Sequence, residues 1–384
     1  MKVALSVLGK FHTFDLAREL HARGALERLF TGYPRYKLRE EHLPEPLVDC
    51  FPWINTPYLA FPQRERLGTT LLRGWEYWNC VSFDQHTARH LPPCDVFVGL
   101  SSSTLLSGRR AKSLGARFVC DRGSSHIRRQ EELLREEYAR WQMPYMPVDP
   151  RIIAREEAEY EEADAITVPS AFSARTFIEQ GVPEAKVRQL NYGVNLEAFK
   201  PTATPNANTM DILFVGVGDL RKGVPYLLQA YKALKHPRKS LSFAGTFSPR
   251  MVRHMRSLGL WSDDIQLLGH LSWSELRDHM SRSHALVLPS IEEGFGLVIP
   301  QALACGCPVI ATEHTGAPDL FRDGEAGYIL PIRRVDLITD RLQQLADSPA
   351  TRERLSQAAL QVVNDIGGWR TYGDEAMRIY QSLL

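Results

Sequence analysis

The sequence predicts an α/β protein of two domains, each a mainly parallel sheet with helices on both faces. Three observations support this prediction. β-Branched runs typical of buried strands alternate with helical segments almost throughout the chain. A polar stretch without periodicity, residues 200–209 (KPTATPNANT), interrupts this alternation once. The length of 384 residues also exceeds what one hydrophobic core usually holds.

In the first half, each strand-like run leads into a helical one. VALSVL precedes TFDLARELHARG, which ends at Gly24, and DVFVGL precedes STLLSGRRAKSLG. ARFVCDRG follows, and AITVPS then leads into AFSARTFIEQG, with Ser170 as the N-cap and Gly181 as the stop. KVRQLNYG completes this half. We therefore assign residues 1–195 to the first domain.

After the polar stretch the alternation resumes. The strand-like runs are DILFVGVG, SLSFAG, DIQLLGH, ALVLPS, PVIAT and AGYILP. Ser272 and Glu275 form a capping box at the start of the helix WSELRDHM. We assign residues 196–210 to a linker and residues 211–368 to the second domain. The last helix, residues 369–384, is expected to pack back on the first domain.

Composition excludes several classes of function. Hydrophobic residues make up 44% of the chain and charged residues 24%, as in folded proteins. No apolar run is long enough to span a membrane. The six cysteines lack the spacing of a zinc site, and a net charge of +1 does not indicate nucleic-acid binding. The chain starts in a strand-like run without the features of a secretory signal, which predicts a cytoplasmic location.

The charge is unevenly distributed along the chain. Residues 1–130 contain more Lys and Arg than Asp and Glu, and residues 131–190 reverse this balance. Such a surplus is usually an ordinary solvated surface. The functional alternative is contact with an acidic acceptor or with an anionic membrane surface, which would make the protein peripheral on the inner membrane face.

The most informative loop follows the run ALVLPS. It carries Glu292 and Glu293 and leads to a helix that begins near Leu297. Parallel sheets bind ligands at the carboxyl ends of their strands, where this loop would lie. Gly294 and Gly296 permit close approach of a ligand, and the free N–H groups of the helix suit a diphosphate. A carboxylate beside an anion site predicts a ligand that is both phosphate and polyol. For Glu292, the favoured interpretation is capping of the helix.

This segment, EEGFGLVIPQALA, resembles the donor-binding signature of the retaining glycosyltransferases of family four. That family has the GT-B fold, in which two Rossmann-like domains face each other across a cleft. Its first Glu, matched here by Glu293, holds hydroxyls of the donor sugar. Its second Glu holds the ribose and is replaced here by Gln301, a neutral and weaker acceptor. The donor-binding residues implied by this segment are Glu293, Gly294, Phe295, Gly296, Leu297 and Gln301.

A second segment, ILFVGVGDLRKGVPYLLQAYKAL, resembles the strand, loop and helix whose Lys binds the donor phosphates. Lys222 takes that position, and Arg221 beside it is expected to assist in binding the donor phosphates, whereas Val217 stands where the family often has an Arg. Gly216 and Gly218 also loosely resemble a dinucleotide fingerprint. The next glycine is too distant, however, and no acidic residue ends the following strand. A nicotinamide-dependent enzyme is therefore the less favoured alternative.

The first half supplies further candidates. In VCDRGSSHIRRQ, His126 is the candidate for the family's His that faces the donor sugar near the reacting carbon; the alternative is a structural loop histidine. Gly9 lies where the family has a glycine loop near the donor phosphates. His270 and Leu271 lie where the family's backbone contacts the nucleobase. The catalytic residues implied by the resemblance are His126, Lys222 and Glu293.

The resemblance implies transfer of a sugar from a UDP- or GDP-sugar to a hydroxyl of a glycan, a lipid-linked acceptor or a small molecule. It also implies retention of the anomeric configuration without a metal or any other cofactor. The acceptor-side region, residues 33–91, contains no motif that identifies the acceptor. Two alternatives stay open: a non-catalytic sugar-nucleotide-binding protein, favoured by Val217 and Gln301, and a sugar-nucleotide epimerase of the same fold.

Overall fold

The computed structural model describes residues 1–61 and 67–384. In the first domain, the helices and strands alternate as the sequence predicts. The strands are β1 (Val3–Val7), β2 (Leu26–Thr31), β3 (Val48–Cys50), β4 (Val96–Leu100), β5 (Arg117–Asp121), β6 (Ala165–Val168) and β7 (Val187–Gln189). The helices are α1 (Thr13–Ala22), α2 (Asn55–Ala60), α3 (Thr69–His90), α4 (Leu105–Ser113), α5 (Ile127–Arg140), α6 (Pro150–Glu162) and α7 (Ala171–Glu179).

The second domain repeats this plan. Its strands are β8 (Met210–Val215), β9 (Lys239–Ala244), β10 (Ile265–Gly269), β11 (Ala285–Leu288), β12 (Val309–Thr312) and β13 (Gly327–Leu330). The helices that follow are α8 (Val224–Ala233), α9 (Pro249–Ser257), α10 (Trp273–Arg282), α11 (Val298–Ala304), α12 (Ala317–Leu320), α13 (Val335–Asp347), α14 (Pro349–Ile366) and α15 (Trp369–Gln381).

Each domain is organised around one parallel sheet. The strand orders are β3-β2-β1-β4-β5-β6-β7 and β10-β9-β8-β11-β12-β13. Strands β1, β11 and β12 are buried along their whole length, because helices cover both faces of the sheets. This architecture confirms the predicted fold of two Rossmann-like domains. In both sheets the chain order reverses beside the first strand, so that a crevice opens at the carboxyl ends of the strands.

Local signals in the sequence place several helix ends. The hydroxyl of Ser170 accepts a hydrogen bond from the amide of Ser173, and Ser272 and Glu275 form the predicted capping box. Both predicted caps are therefore confirmed. Gly181 follows α7 with a φ of +87°, a conformation that side chains with a Cβ rarely adopt.

The chain passes between the two domains at two places. The first is the stretch of residues 200–209, which forms neither helix nor strand. The second is near Gly368, which pairs with Val194 in an isolated parallel bridge. Phe199, which precedes that stretch, is buried in the second core. The last helix returns to the first domain, where Tyr380 is buried in the same apolar cluster as Phe14. Within residues 1–61 and 67–384, no helix combines the length and apolar character needed to cross a membrane.

Candidate active site

The loop between β11 and α11, residues 289–297, lies at the contact between the domains. A Cβ at Gly294 would overlap the carbonyl oxygen of Gly123, which follows β5 in the first domain. The carbonyl of Gly294 accepts a hydrogen bond of 2.6 Å from Ser170 Oγ, also in the first domain. Only glycine permits so close an approach of two backbones, and Gly296 has a φ of +84°. The glycines of this loop thus allow it to fit against the opposite domain.

Two of the three predicted catalytic residues are in contact. Lys222 lies in the loop between β8 and α8, and its ammonium donates a hydrogen bond to the carboxylate of Glu293. Asp219 fixes the lysine's backbone by accepting a 2.9 Å bond from its amide. Burial, and then repulsion from Arg221, lowers the pKa of Lys222 to about 7, whereas contact with a carboxylate favours the ammonium form. The structure therefore brings together a half-buried cation and an acid at the edge of the second sheet.

The helix-capping role expected for Glu292 is wrong. Its side chain is fully buried and points across the domain interface. Its carboxylate accepts hydrogen bonds from Arg221 Nε at 2.7 Å, Ser124 Oγ at 2.6 Å, Ser125 Oγ at 2.7 Å, Ser125 N at 3.1 Å and Gln130 Nε2 at 3.0 Å. Burial opposes ionisation, but Arg221 and these hydrogen bonds hold the pKa of Glu292 well below its usual range. Arg221 therefore pairs with Glu292, and its predicted contact with a donor is a second role at most.

His126, the third predicted catalytic residue, lies in the first domain's interior and is 4% exposed. It caps α5, with Nδ1 accepting a hydrogen bond from the amide of Arg128. Its ring packs against Tyr160 and Phe177, at centroid distances of 5.1 and 5.0 Å. Burial lowers the pKa of His126 to about 4, which leaves the imidazole neutral at pH 7. This placement supports the structural alternative for His126 and does not support the catalytic one.

The remaining residues of the loop and of α11 differ in their exposure. Phe295 is buried, with its ring 5.4 Å from that of Tyr192 in the first domain. Leu297 and Gln301 are half-buried. Among the described residues, the amide side chain of Gln301 has no hydrogen-bond partner, so it is available to a ligand.

Gly9, His270 and Leu271 lie in loops that follow the carboxyl ends of β1 and β10. A side chain at Gly9 would overlap the ring of Phe11. His270 is exposed and Leu271 half-buried. Gly269, just before them, accepts a 2.7 Å backbone hydrogen bond from Gly245 after β9. The structure therefore places Gly9 at the carboxyl edge of the first sheet, and His270 and Leu271 at that of the second.

One polar pair at this edge was missed in the sequence. His12, at the start of α1, and Asp121, at the end of β5, are joined by a 2.6 Å hydrogen bond between Nε2 and Oδ2. Asp121 also accepts a 2.8 Å bond from Thr167, and the His12 ring stacks on Tyr192 at 4.2 Å. The two residues lie 109 positions apart. The signal that could have linked them is their common position at the carboxyl ends of two strands of one sheet, β1 and β5, which are separated by β4.

Comparison with known families matches both domains. The model of the "Glycosyl transferase 4-like domain" matches residues 11–193, and that of "Glycosyl transferases group 1" matches residues 197–362. Together they cover nearly the whole chain. The chain therefore belongs to the glycosyltransferases of the family-four type with the GT-B fold, and it is a glycosyltransferase.

Individual relatives agree with this assignment. The D-inositol 3-phosphate glycosyltransferase of Nocardiopsis dassonvillei is 24% identical over 97% of this chain and 88% of its own length. That of Kribbella flavida is 27% identical over 62% of this chain, and the match spans 61% of the relative. The solved structure of the sucrose-phosphate synthase of Thermosynechococcus elongatus superposes with a TM-score of 0.74, at 21% identity and with coverage of 100% and 99%. At this identity the superposition establishes the fold alone.

Proposed function

We propose that the protein transfers a sugar from a nucleoside diphosphate sugar to a hydroxyl acceptor, with retention of the anomeric configuration. The observation that carries this proposal is the contact between Lys222 and Glu293 in two loops at the domain interface. A phosphate needs a cation and a sugar needs hydrogen-bond acceptors, and here the two groups are neighbours. The free amide of Gln301 on α11 adds a group suited to ribose hydroxyls.

In this proposal the donor exchanges one ion pair for another. The diphosphate takes Lys222 from Glu293, and the carboxylate is released to accept hydrogen bonds from sugar hydroxyls. Negative charge develops on the leaving phosphate during transfer, where one preorganised donor contributes roughly 2.7 to 4 kcal/mol. The bonds of Glu293 to the sugar tighten as positive charge builds at the anomeric carbon. The acceptor hydroxyl attacks the anomeric carbon from the face of the leaving group, so that its bond to this carbon replaces the bond to the diphosphate and its proton passes to the departing phosphate oxygen.

The relatives support a UDP- or GDP-sugar as donor. The structure of Anabaena HepE in complex with UDP and glucose superposes with a TM-score of 0.71, at 14% identity and full coverage of both chains. A relative in Mycolicibacterium smegmatis, 26% identical over 55% of this chain and 60% of its own length, is named as a GDP-mannose-dependent mannosyltransferase. The acceptors in the relatives' names are an inositol phosphate and a phosphatidylinositol mannoside. For this chain we propose a glycan, a lipid-linked acceptor or a small polyol.

A panel of UDP- and GDP-sugars with nucleotide release as the readout tests the activity, first with an acceptor extract and then with an isolated acceptor. We expect release that depends on one donor, and NMR of the product is expected to show the anomeric configuration of that donor. Activity is expected to survive EDTA, because we propose that Lys222 and the backbone amides of the β11–α11 loop take the place of a metal ion. An inverted product contradicts the retaining mechanism. Donor binding without release would favour the non-catalytic alternative.

We also propose a peripheral contact with anionic lipid through the first domain. Large apolar side chains lie exposed there, with Leu71 and Trp78 on one face of α3 at 67% and 59% exposure. Trp75, between them, packs against Phe61 at 6.0 Å, and Trp53 is 74% exposed. Rings of this kind suit a membrane interface. We expect the protein to sediment with phosphatidylserine vesicles at low salt and less at high salt. A Trp78→Ser variant should sediment less, and failure to sediment even at low salt refutes the proposal.

A further inference from the structure

Glu292 is a buried carboxylate that the proposed chemistry does not use. It lies between the first domain on one side and the ion pair of Lys222 with Glu293 on the other. On the second-domain side it binds Arg221, which is next to Lys222 in the chain. On the first-domain side its partners are Ser124, Ser125 and Gln130, of the segment that leads from β5 into α5. One fully buried side chain therefore connects three separate segments.

The first-domain partners are themselves held in place. Arg122 donates to Gln130 Oε1 at 3.0 Å, which orients the amide so that its NH2 group faces Glu292. The same guanidinium donates to the carbonyl of Ser125 at 3.1 Å. Glu156 balances its charge at 3.0 Å. The donors that meet Glu292 thus belong to a rigid network, so that movement of the carboxylate would leave several buried groups unsatisfied.

We infer that Glu292 is a positioning residue for sugar transfer. Its carboxylate holds the loops that carry Lys222 and Glu293 in a fixed register against residues 124–130 of the first domain. The reacting groups of the two domains can align only if the distance between these loops and residues 124–130 stays constant. This inference rests on the proposed function and adds a residue that acts through others rather than on the substrate.

Two variants separate this role from the donor site itself. Glu292→Gln replaces one acceptor oxygen with an NH2 group, which would face other donors. Ser124→Ala with Ser125→Ala removes two donors of the first domain while the ion pair between Arg221 and Glu292 remains. The double variant keeps the inference testable if Glu292→Gln fails to fold. A matched control is Ser82→Ala with Ser113→Ala, because these hydroxyls, half-buried at Ser82 and exposed at Ser113, donate to carbonyls of their own helices.

A third variant controls for contact between the domains in general. Glu137 of α5 accepts hydrogen bonds from Tyr226 Oη at 2.6 Å, in the first turn of α8, and from Arg333 Nε at 2.8 Å, both in the second domain. Tyr226→Phe removes the hydrogen bond that this hydroxyl donates to Glu137 and the 3.3 Å bond that it accepts from Trp141 Nε1, and it leaves the ion pair between Glu137 and Arg333. If Glu292 acts by local positioning, Tyr226→Phe should change transfer much less than the double serine variant.

The experiment combines kinetics with hydrogen exchange on the full chain. In the Glu292 and double serine variants, we expect kcat to fall about tenfold or more while the Kd for UDP or GDP changes by less than about twofold. The share of donor lost to water instead of the acceptor should rise. In the ligand-free variants, amide exchange should increase in both residues 123–130 and residues 290–296, which a defect in chemistry alone would not cause.

Three outcomes overturn the inference. One is unchanged kcat and exchange in a folded variant. Another is a loss of nucleotide affinity as large as the loss of kcat, which would place Glu292 in the donor site. The third is an equal effect of Tyr226→Phe. If the wild-type protein transfers no sugar at all, the proposed function fails, but the exchange measurement still tests the connection made by Glu292.

Discussion

Two consecutive ion pairs join the same two loops and differ in almost every other respect. Arg221 binds Glu292, and Lys222 binds Glu293. The carboxylate of Glu292 is completely buried and accepts bonds from both domains. The side chain of Glu293 is 11% exposed and, among the described residues, its carboxylate has Lys222 as its hydrogen-bond partner. Adjacent residues of the same type therefore belong to different environments.

The difference shows which pair can exchange with a ligand. Removing one partner of a buried, fully bonded carboxylate leaves an uncompensated charge and several unsatisfied donors, which is strongly destabilising. The pair of Glu292 is therefore a permanent part of the structure. Under the proposed function, the pair of Lys222 and Glu293 would lose a single contact when a diphosphate binds the lysine, and the ligand would replace what is lost. In one polar loop, the ion pair of one residue can thus be permanent while that of the next residue can be replaced by a ligand.

The largest effect is expected for Glu293→Ala. Turnover should fall on the order of a hundredfold, because the carboxylate's bonds to the sugar strengthen as charge develops in the transition state. Affinity for UDP or GDP should not fall, since the variant frees Lys222 for the diphosphate. Steady-state kinetics and calorimetry measure the two quantities. If the variant turns over normally, Glu293 does not bind the sugar, and the proposed difference between a permanent pair at Glu292 and an exchangeable pair at Glu293 is refuted.

A pH profile sharpens the same comparison through Lys222. Only the ammonium binds a diphosphate well, and its pKa in the free protein is about 7. Donor affinity should therefore be highest below pH 7 and fall by up to about tenfold per pH unit above it. Lys222→Arg should flatten the profile, because a guanidinium does not titrate in this range. Lys222→Ala should weaken binding roughly ten- to a hundredfold at pH 6. Equal slopes for the wild type and Lys222→Arg would assign the titration to another group.

The fold and the loop that carries Glu293 are predictable because their signals are local. Alternating strand and helix patterns, the cap at Ser170 and the glycines before α11 each lie within a few residues of what they determine. Each part of the resemblance likewise rests on one continuous segment. Lys222 and Glu293 belong to two of these segments, and they meet because both follow strands of one sheet, so that contact depends on the topology.

The roles of Glu292, His126 and His12 were not predictable for the opposite reason. Each depends on a partner far along the chain, such as Ser124, which is 168 positions from Glu292. In the sequence alone, a carboxylate before a helix resembles a cap, and a histidine after a strand resembles the family's histidine that faces the donor sugar; the tertiary contacts show the partners that each has in the structure. Contacts with the opposite domain decide which of two neighbouring polar residues becomes buried. A local sequence pattern contains no information about those contacts.

The smallest effect is expected for Gln301, which tests whether α11 contacts a part of the donor that does not react. The ribose keeps its charge and shape during transfer, so a bond to it contributes equally in the ground and transition states. Gln301→Ala should raise the KM for the donor about threefold to tenfold, as expected for one neutral hydrogen bond, with kcat unchanged. Gln301→Glu should lower KM, because a charged acceptor binds hydroxyls more strongly. If Gln301→Ala abolishes turnover while Glu293→Ala only weakens binding, the roles assigned to the loop and to the helix are reversed.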